Sequence, residues 1–257
     1  MSAQGEFARL AAAGERAALV TVVSNEGEPE VGTRVLVRAD GSLEGSFGSD
    51  ELDSAARDFS EELMWGTERS EFREVDGVGL FVDVTAPSPR IFIFGAVDFA
   101  NALCRTARVT GWRPYVIDPR SRFATPERFP EAEEVVAAWP EEAVARLGGI
   151  DRATYIAILH HDPKLDDAAL QVAFDSDTPY IGAMGSRRAQ AKRRERLLAA
   201  GVDEQQLERV SAPIGLDIGA LGAEETALSI MAEVVAVRNG HGGGRLGDAK
   251  GRIHEAV

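Results

Sequence analysis

Five short segments of this chain combine glycine, charge and imidazole in patterns that suit ligand binding. The first, Gly95-Ala96-Val97-Asp98-Phe99-Ala100, follows the apolar run Ile91-Phe92-Ile93-Phe94. A full dinucleotide fingerprint has glycine where Val97 stands, so that the backbone can approach a pyrophosphate, and tolerates alanine at the last position. Asp98 sets a carboxylate at the start of the next helix, where it favours the helix dipole and repels a bound phosphate. Two readings stay open for this loop: a modified phosphate site, or a strand-to-helix turn capped by Asp98.

The second segment is Asp118-Pro119-Arg120, and it lies 23 residues after Gly95. A dinucleotide fold places its acidic ribose-binding residue at about that distance. Asp118 is expected to accept hydrogen bonds from ribose or pterin donors, and Arg120 to pair with a phosphate. The third segment, His160-His161-Asp162-Pro163-Lys164, follows another apolar run. Adjacent side chains of an extended segment diverge and no third strong ligand is close in sequence, so ligand contact or loop structure is expected here rather than a metal. The fourth, Gly182-Ala183-Met184-Gly185-Ser186-Arg187-Arg188, puts glycines and two arginines at a helix start, which makes a backbone-amide anion cradle. The later charges Lys192, Arg193, Arg194 and Arg196 read as a solvated helix face. The fifth, Ala212-Pro213-Ile214-Gly215-Leu216-Asp217-Ile218-Gly219-Ala220, is apolar with one carboxylate and reads as a pocket wall. Cys104 sits one turn after Ala100 on an apolar helix face, as a packed thiol rather than a nucleophile. No Ser–His–Asp set or carboxylate pair can be assembled from the spacing, so no catalytic residue is assigned and the metal question stays open.

The elements that must position these segments change rhythm near Ala86-Pro87-Ser88-Pro89. Before it, the β-rich runs 18–23, 33–37, 42–47 and 78–84 and an amphipathic helix over 50–65 predict a small α+β domain, residues 1–86. After it, strands over 91–94, 112–117, 154–159 and 180–183 alternate with helices over 99–109, 141–147, 166–174, 186–200 and 224–238. That alternation predicts an α/β, Rossmann-like, doubly wound parallel sheet over residues 88–257. Its ligands should sit beyond the carboxyl ends of the strands. The Gly-rich stretch 239–247 reads as a mobile tail, and no internal repeat is present.

Composition narrows the partners. The 257 residues carry a formal net charge of −14, which disfavours nucleic acid because phosphate backbones reward clustered Lys and Arg. No apolar run approaches the roughly 18–20 residues needed to cross a bilayer, and residues 1–14 lack a secretory pattern, so the expectation is a cytoplasmic protein without a membrane partner. A single cysteine excludes an internal disulfide and any multi-cysteine metal site.

Together, Arg90-Ile91-Phe92-Ile93-Phe94-Gly95-Ala96, Asp118-Pro119-Arg120, His161-Asp162-Pro163-Lys164, Tyr180 to Arg188 and Ala212 to Ala220 stand in the order found in the XdhC/CoxI family. The chain resembles that family over nearly its whole length, more weakly before residue 88, where Gly32 to Val37 and Gly45-Ser46 carry the likeness. The resemblance implies a non-enzymatic chaperone that transiently binds molybdenum cofactor, as molybdopterin or its cytosine dinucleotide form. It would hand the cofactor to a molybdenum hydroxylase apoenzyme of the xanthine or CO dehydrogenase type. Cofactor-maturation proteins are the other implied partners, and a homodimer is the default for a soluble oligomer. The implied cofactor-binding residues are Gly95, Asp118, Arg120, His161, Asp162, Lys164, Met184, Gly185, Ser186, Arg187 and Asp217. Two positions depart from the family pattern: Gly48-Ser49-Asp50-Glu51 lacks the cysteine that many relatives carry there, and Val97-Asp98 replaces a glycine-bearing turn. The competing readings are an NAD(P)-dependent oxidoreductase and an assembly subunit that binds no cofactor.

Overall fold

A computed structural model describes residues 2–66 and 69–248. Met1, residues 67–68 and residues 249–257, which close the expected second domain, lie outside the described residues. The chain divides into two compact units, Met1–Pro87 and Ser88–Val257.

The first unit runs α1 (Ala3–Ala12), β1 (Ala17–Ser24), β2 (Arg34–Arg38), β3 (Leu43–Glu44), α2 (Asp50–Trp65), β4 (Glu71–Val75) and β5 (Val78–Thr85). Its five strands form an antiparallel sheet in the order β3-β2-β1-β5-β4. Alternation along β1 decides the two faces. Ala18, Val20 and Val22 pack with Leu52, Ala56 and Leu63 of α2, whereas Ala17 joins Leu36 and Leu10 of α1. Helix α1 and strand β4 go beyond the expected elements. Only Leu10 of α1 is buried, and β4 is a charged edge strand, so neither gives a strong apolar period. The expected strand over 42–47 shrinks to Leu43–Glu44, because Gly45 and Gly48 turn the chain with φ of +97° and +80°. Ser49 caps α2 by accepting from the Leu52 amide at 3.4 Å, so Asp50 is a first-turn residue.

The second unit runs β6 (Arg90–Phe94), α3 (Asp98–Val109), β7 (Arg113–Ile117), β8 (Glu134–Val136), α4 (Pro140–Arg146), β9 (Thr154–Ile158), α5 (Pro163–Phe174), β10 (Ile181–Ala183), α6 (Arg187–Ala199), α7 (Glu204–Glu208), β11 (Val210–Ser211) and α8 (Ala223–Arg238). All six strands are parallel, in the order β11-β10-β9-β6-β7-β8. This is the strand order of a dinucleotide-binding doubly wound sheet, with its reversal between β6 and β9. The buried run of β6 serves both faces. Ile91 and Ile93 pack with Leu103 of α3 and Ile230 and Met231 of α8, while Phe92 and Phe94 pack with Ala143 of α4, Leu170 of α5 and Leu197 of α6. At the amino end of the sheet, Arg90 donates to the Leu147 and Gly149 carbonyls at 2.9 and 3.0 Å. The short β8, α7 and β11 carry too few residues to show a period.

Cys104 has no exposed surface, and burial pushes its thiol up to about 12. We therefore expect native protein to react with a thiol reagent only through unfolding, at a rate that rises with denaturant. Rapid, stoichiometric labelling in buffer contradicts this packing.

Candidate functional site

In a doubly wound sheet the reversal between β6 and β9 is where a ligand is expected, at the strands' carboxyl ends, and glycine lets two loops close on each other there. Gly95 has φ +123°, and a Cβ there would lie 3.0 Å from the His160 amide nitrogen, so the first and third loops touch. Only glycine meets both conditions. The second loop is tied to the first by Asp118, whose Oδ2 accepts the Ala96 N–H at 2.8 Å. Arg120 closes around the same carboxylate, with Nε 2.9 Å from Oδ1, Nη2 2.7 Å from Oδ2 and its own amide 2.9 Å from Oδ1. Burial acts to raise this carboxyl, but the bonds from Arg120 and Ala96 outweigh it and hold it below the ordinary range. Asp118 is 0% exposed. In this structure the oxygens expected to face ribose or pterin are taken up by Ala96 and Arg120, and the carboxylate positions the loop. Asp98 is the first residue of α3 rather than its cap, which is Val97. Its side chain is 96% exposed and reaches Arg128 at 3.5 Å. Water therefore screens the repulsion that Asp98 would exert on a phosphate.

The third and fourth loops are joined by a buried polar chain. His160 Nδ1 lies 2.8 Å from Asp166 Oδ1, and Arg193 Nη2 lies 2.6 Å from Asp166 Oδ2 and 3.1 Å from the Met184 carbonyl. Gln190, which bonds Arg193, also donates to the Ala183 and Gly185 carbonyls, both at 3.2 Å. The exposures are 2% for His160, 4% for Asp166 and 6% for Arg193. Arg193 is thus no part of a solvated face, which corrects the reading of the basic run. Arg196 pairs with Asp167 at 2.7 Å and Arg194 pairs with Glu204, which leaves Lys192 exposed with no ion pair among the described residues. His161, Asp162 and Lys164 are exposed, and Asp162 caps α5 by accepting the Lys164 amide at 2.9 Å. Ser186 caps α6 by accepting the Ala189 amide at 3.2 Å. Met184 and Gly185 are half-buried, and Arg187 is exposed.

The fifth segment packs over β10. The Ile214 amide donates to the Ala183 carbonyl at 3.1 Å, and a Cβ on Gly182 would run into the Ile214 side chain at 2.4 Å. Glu233 accepts from the Gly215 amide at 2.8 Å and from the Tyr180 hydroxyl, latching the segment to α8. Burial and the Glu233 charge push the Tyr180 phenol well above its ordinary value. Asp217 is exposed and makes no hydrogen bond or ion pair among the described residues. The described contacts link the first four loops to one another and the fifth segment to the fourth at Gly182 and Ala183.

Molybdenum cofactor poses two separate demands, a seat for its phosphate and ligands for its metal. For the first, Arg193 is a candidate: its buried Nε has no partner, and the residue lines a surface depression with His161, Asp166, Lys192 and Arg196. The second is not met by thiolate, because the chain's one cysteine is buried in α3. Among the described residues no group of three His, Cys, Asp or Glu side chains could hold a metal ion.

Asp166 carries a pH signature. Burial acts to raise its carboxyl, yet the hydrogen bonds from His160 and Arg193 hold it below its ordinary value of 3.8. A depressed carboxylate adds stability above its unfolded pKa, and that stability is lost as pH falls through the folded value. Acidification below about pH 4 should therefore weaken the wild type. Asp166→Asn should lose about 3–5 kcal/mol at neutral pH and fall off less steeply in acid. Urea titrations at pH 7 and pH 3.5 read both effects. An Asn variant as stable as wild type at pH 7 contradicts the role given to this carboxylate.

The family described as the XdhC Rossmann domain matches residues 91–234, and the XdhC and CoxI family matches residues 10–76. The chain is 31% identical over 159 residues to a probable xanthine dehydrogenase subunit of Bacillus subtilis, covering 62% of this chain and 46% of that protein. It is 29% identical over 152 residues to the molybdenum cofactor insertion chaperone PaoD of Escherichia coli, covering 59% and 41%. The alignment with YqeB of Escherichia coli, at 28% identity, takes in 88% of this chain and 44% of that protein. The chain thus spans less than half the length of these relatives. A crystal structure described as a xanthine dehydrogenase from Bacillus halodurans superposes with a TM-score of 0.54 at 18% identity, over 97% of this chain and 98% of that one, which shows a shared fold. By the match of its second unit, and of most of its first, the chain belongs to the XdhC/CoxI family.

Proposed function

We propose that this protein is an accessory chaperone that binds molybdenum cofactor and assists its insertion into a molybdenum hydroxylase of the xanthine or CO dehydrogenase type. The observation that carries the reading is the conjunction of family membership with a relative named as a molybdenum cofactor insertion chaperone. The site supports it. The first four loops gather backbone amides and cations, and no nucleophile–base pair stands among them. In this reading molybdopterin, or its cytosine dinucleotide form, binds transiently at the carboxyl ends of the strands. Gly95, His161, Lys164, Met184, Gly185, Ser186 and Arg187 contact it, with Arg120 held beside them by Asp118. Asp118 and Asp162 hold loops in place, and Asp217 is an exposed carboxylate of the fifth segment that would meet the cofactor. The bound cofactor would supply the redox chemistry, which takes place in the recipient apoenzyme. Cofactor-maturation proteins, a homodimeric state and a cytoplasmic site of action belong to the same proposal.

The strand order favours a second reading, an NAD(P)-dependent oxidoreductase. It meets an obstacle at Asp118, because a carboxylate already saturated by Arg120 and Ala96 has little capacity left for ribose hydroxyls. Calorimetry with NAD, NADP and isolated molybdenum cofactor separates the two readings. The proposal expects binding of the molybdenum cofactor and an affinity for NAD or NADP weaker by at least about two orders of magnitude, roughly 3 kcal/mol. Micromolar NAD binding without molybdenum cofactor binding overturns it.

A further inference from the structure

The depression between α5 and α6 has a composition that neither helix needs for packing. It is lined by His161, Pro163, Asp166, Met184, Ala189, Lys192, Arg193 and Arg196, and it encloses roughly 170 Å³. That is too small for a dinucleotide, whose pockets are typically several hundred Å³, and suits one small charged group. Its charge is positive. Arg193 answers Asp166 and Arg196 answers Asp167, so Lys192 is a surplus cation on a protein whose net charge is −14.

Two observations turn this surface into a built site. Arg193 is 6% exposed and lines the depression, yet its Nε–H has no acceptor. A buried donor left without a partner is unfavourable, and a small shift of this side chain toward the depression it lines would let an anion satisfy it. The second observation concerns the neighbouring loop. A Cβ at Gly185 would meet Gln190 Nε2 at 3.2 Å and the Ala189 side chain at 3.3 Å, and the Ser186 hydroxyl is engaged as the cap of α6. The hollow that a glycine leaves open for a phosphate is thus filled by the protein's own side chains. The next opening along α6 is the depression where Lys192 and Arg193 stand.

We propose that this depression is a phosphomonoester-binding seat formed by Lys192, Arg193 Nε and His161, with Arg196 at its margin. The proposal rests on the chaperone reading only for the identity of the molecule that bears the phosphate. The pterin would then extend from α6 toward Met184 and the loop at Gly95, with its phosphate anchored away from the sheet's switch point. Phosphate so anchored leaves the Gly95 loop without a pyrophosphate to bind, in agreement with Val97 standing where a dinucleotide fold has glycine.

Inorganic phosphate at low ionic strength is the probe, followed by calorimetry and ³¹P line width on wild type, Lys192→Glu and Arg245→Ala; Arg245 is an exposed cation that does not line the depression. Both residues are exposed, so neither substitution threatens the fold. Wild type should bind phosphate; Lys192→Glu should weaken it by about tenfold or more, and Arg245→Ala by no more than about twofold. Absence of phosphate binding to wild type overturns the seat, as does binding that is lost in Arg245→Ala and kept in Lys192→Glu. Isolated molybdenum cofactor, titrated into the same three proteins, tests the underlying reading separately. Cofactor binding that Lys192→Glu leaves unchanged removes the seat and keeps the chaperone. Phosphate binding that follows the expected pattern, in a protein that takes up no cofactor, keeps the seat and removes the chaperone.

Discussion

One buried carboxylate holds the candidate site together. Asp166 joins His160, at the end of β9, to Arg193, in the middle of α6, with side chains almost wholly withdrawn from water. Burying an ionised carboxylate is expensive unless it is both paired and hydrogen-bonded, and this one is both. The geometry this imposes is specific. His160 is fixed against Gly95, and Arg193 is fixed against the Met184 carbonyl, so the loops after β6, β9 and β10 hold one arrangement. A hydrophobic substitute would hold the helices as well but would give no directional link between the loops.

Asp118 does the equivalent work on the other side of the reversal. An acidic residue at the end of the second strand of such a sheet is ordinarily a recognition group for ribose. Here Arg120, two residues on, converts it into an internal bracket for the Gly95-Ala96 turn. The same residue type at the same place in the same fold thus takes on a structural role here, which only its hydrogen-bond partners reveal. The exposed cations Lys164, Arg187 and Lys192 suit an anionic ligand held by its phosphate better than one held by its sugar.

The parallel unit was legible in the sequence because its strands are buried on both faces. Runs such as Ile91 to Phe94 and Tyr155 to Ile158 leave no ambiguity once helices alternate with them. The glycine-bearing loops were legible for the same reason, since each follows such a run. Arg193 was not. It sits in a helix that reads RRAQAKRRERLLA, and one inward arginine among five cannot be told from its neighbours by type. The available signal was spacing: Gln190, Arg193 and Leu197 recur on one helical face, and Leu197 marks that face as inward. Helix α1 escaped because a single buried leucine anchors it, and β4 because an edge strand of alternating charge looks like a loop. The state of Asp118 could not have been read at all, because a carboxylate's partners are set by tertiary contacts.

The most direct test of the account is the ligand content of the protein as purified from a molybdenum-replete host, by metal analysis and pterin fluorescence. Molybdenum and pterin are expected in matching amounts, released together on denaturation, with no nicotinamide nucleotide. Protein that carries a nicotinamide nucleotide, with neither molybdenum nor pterin, would contradict it.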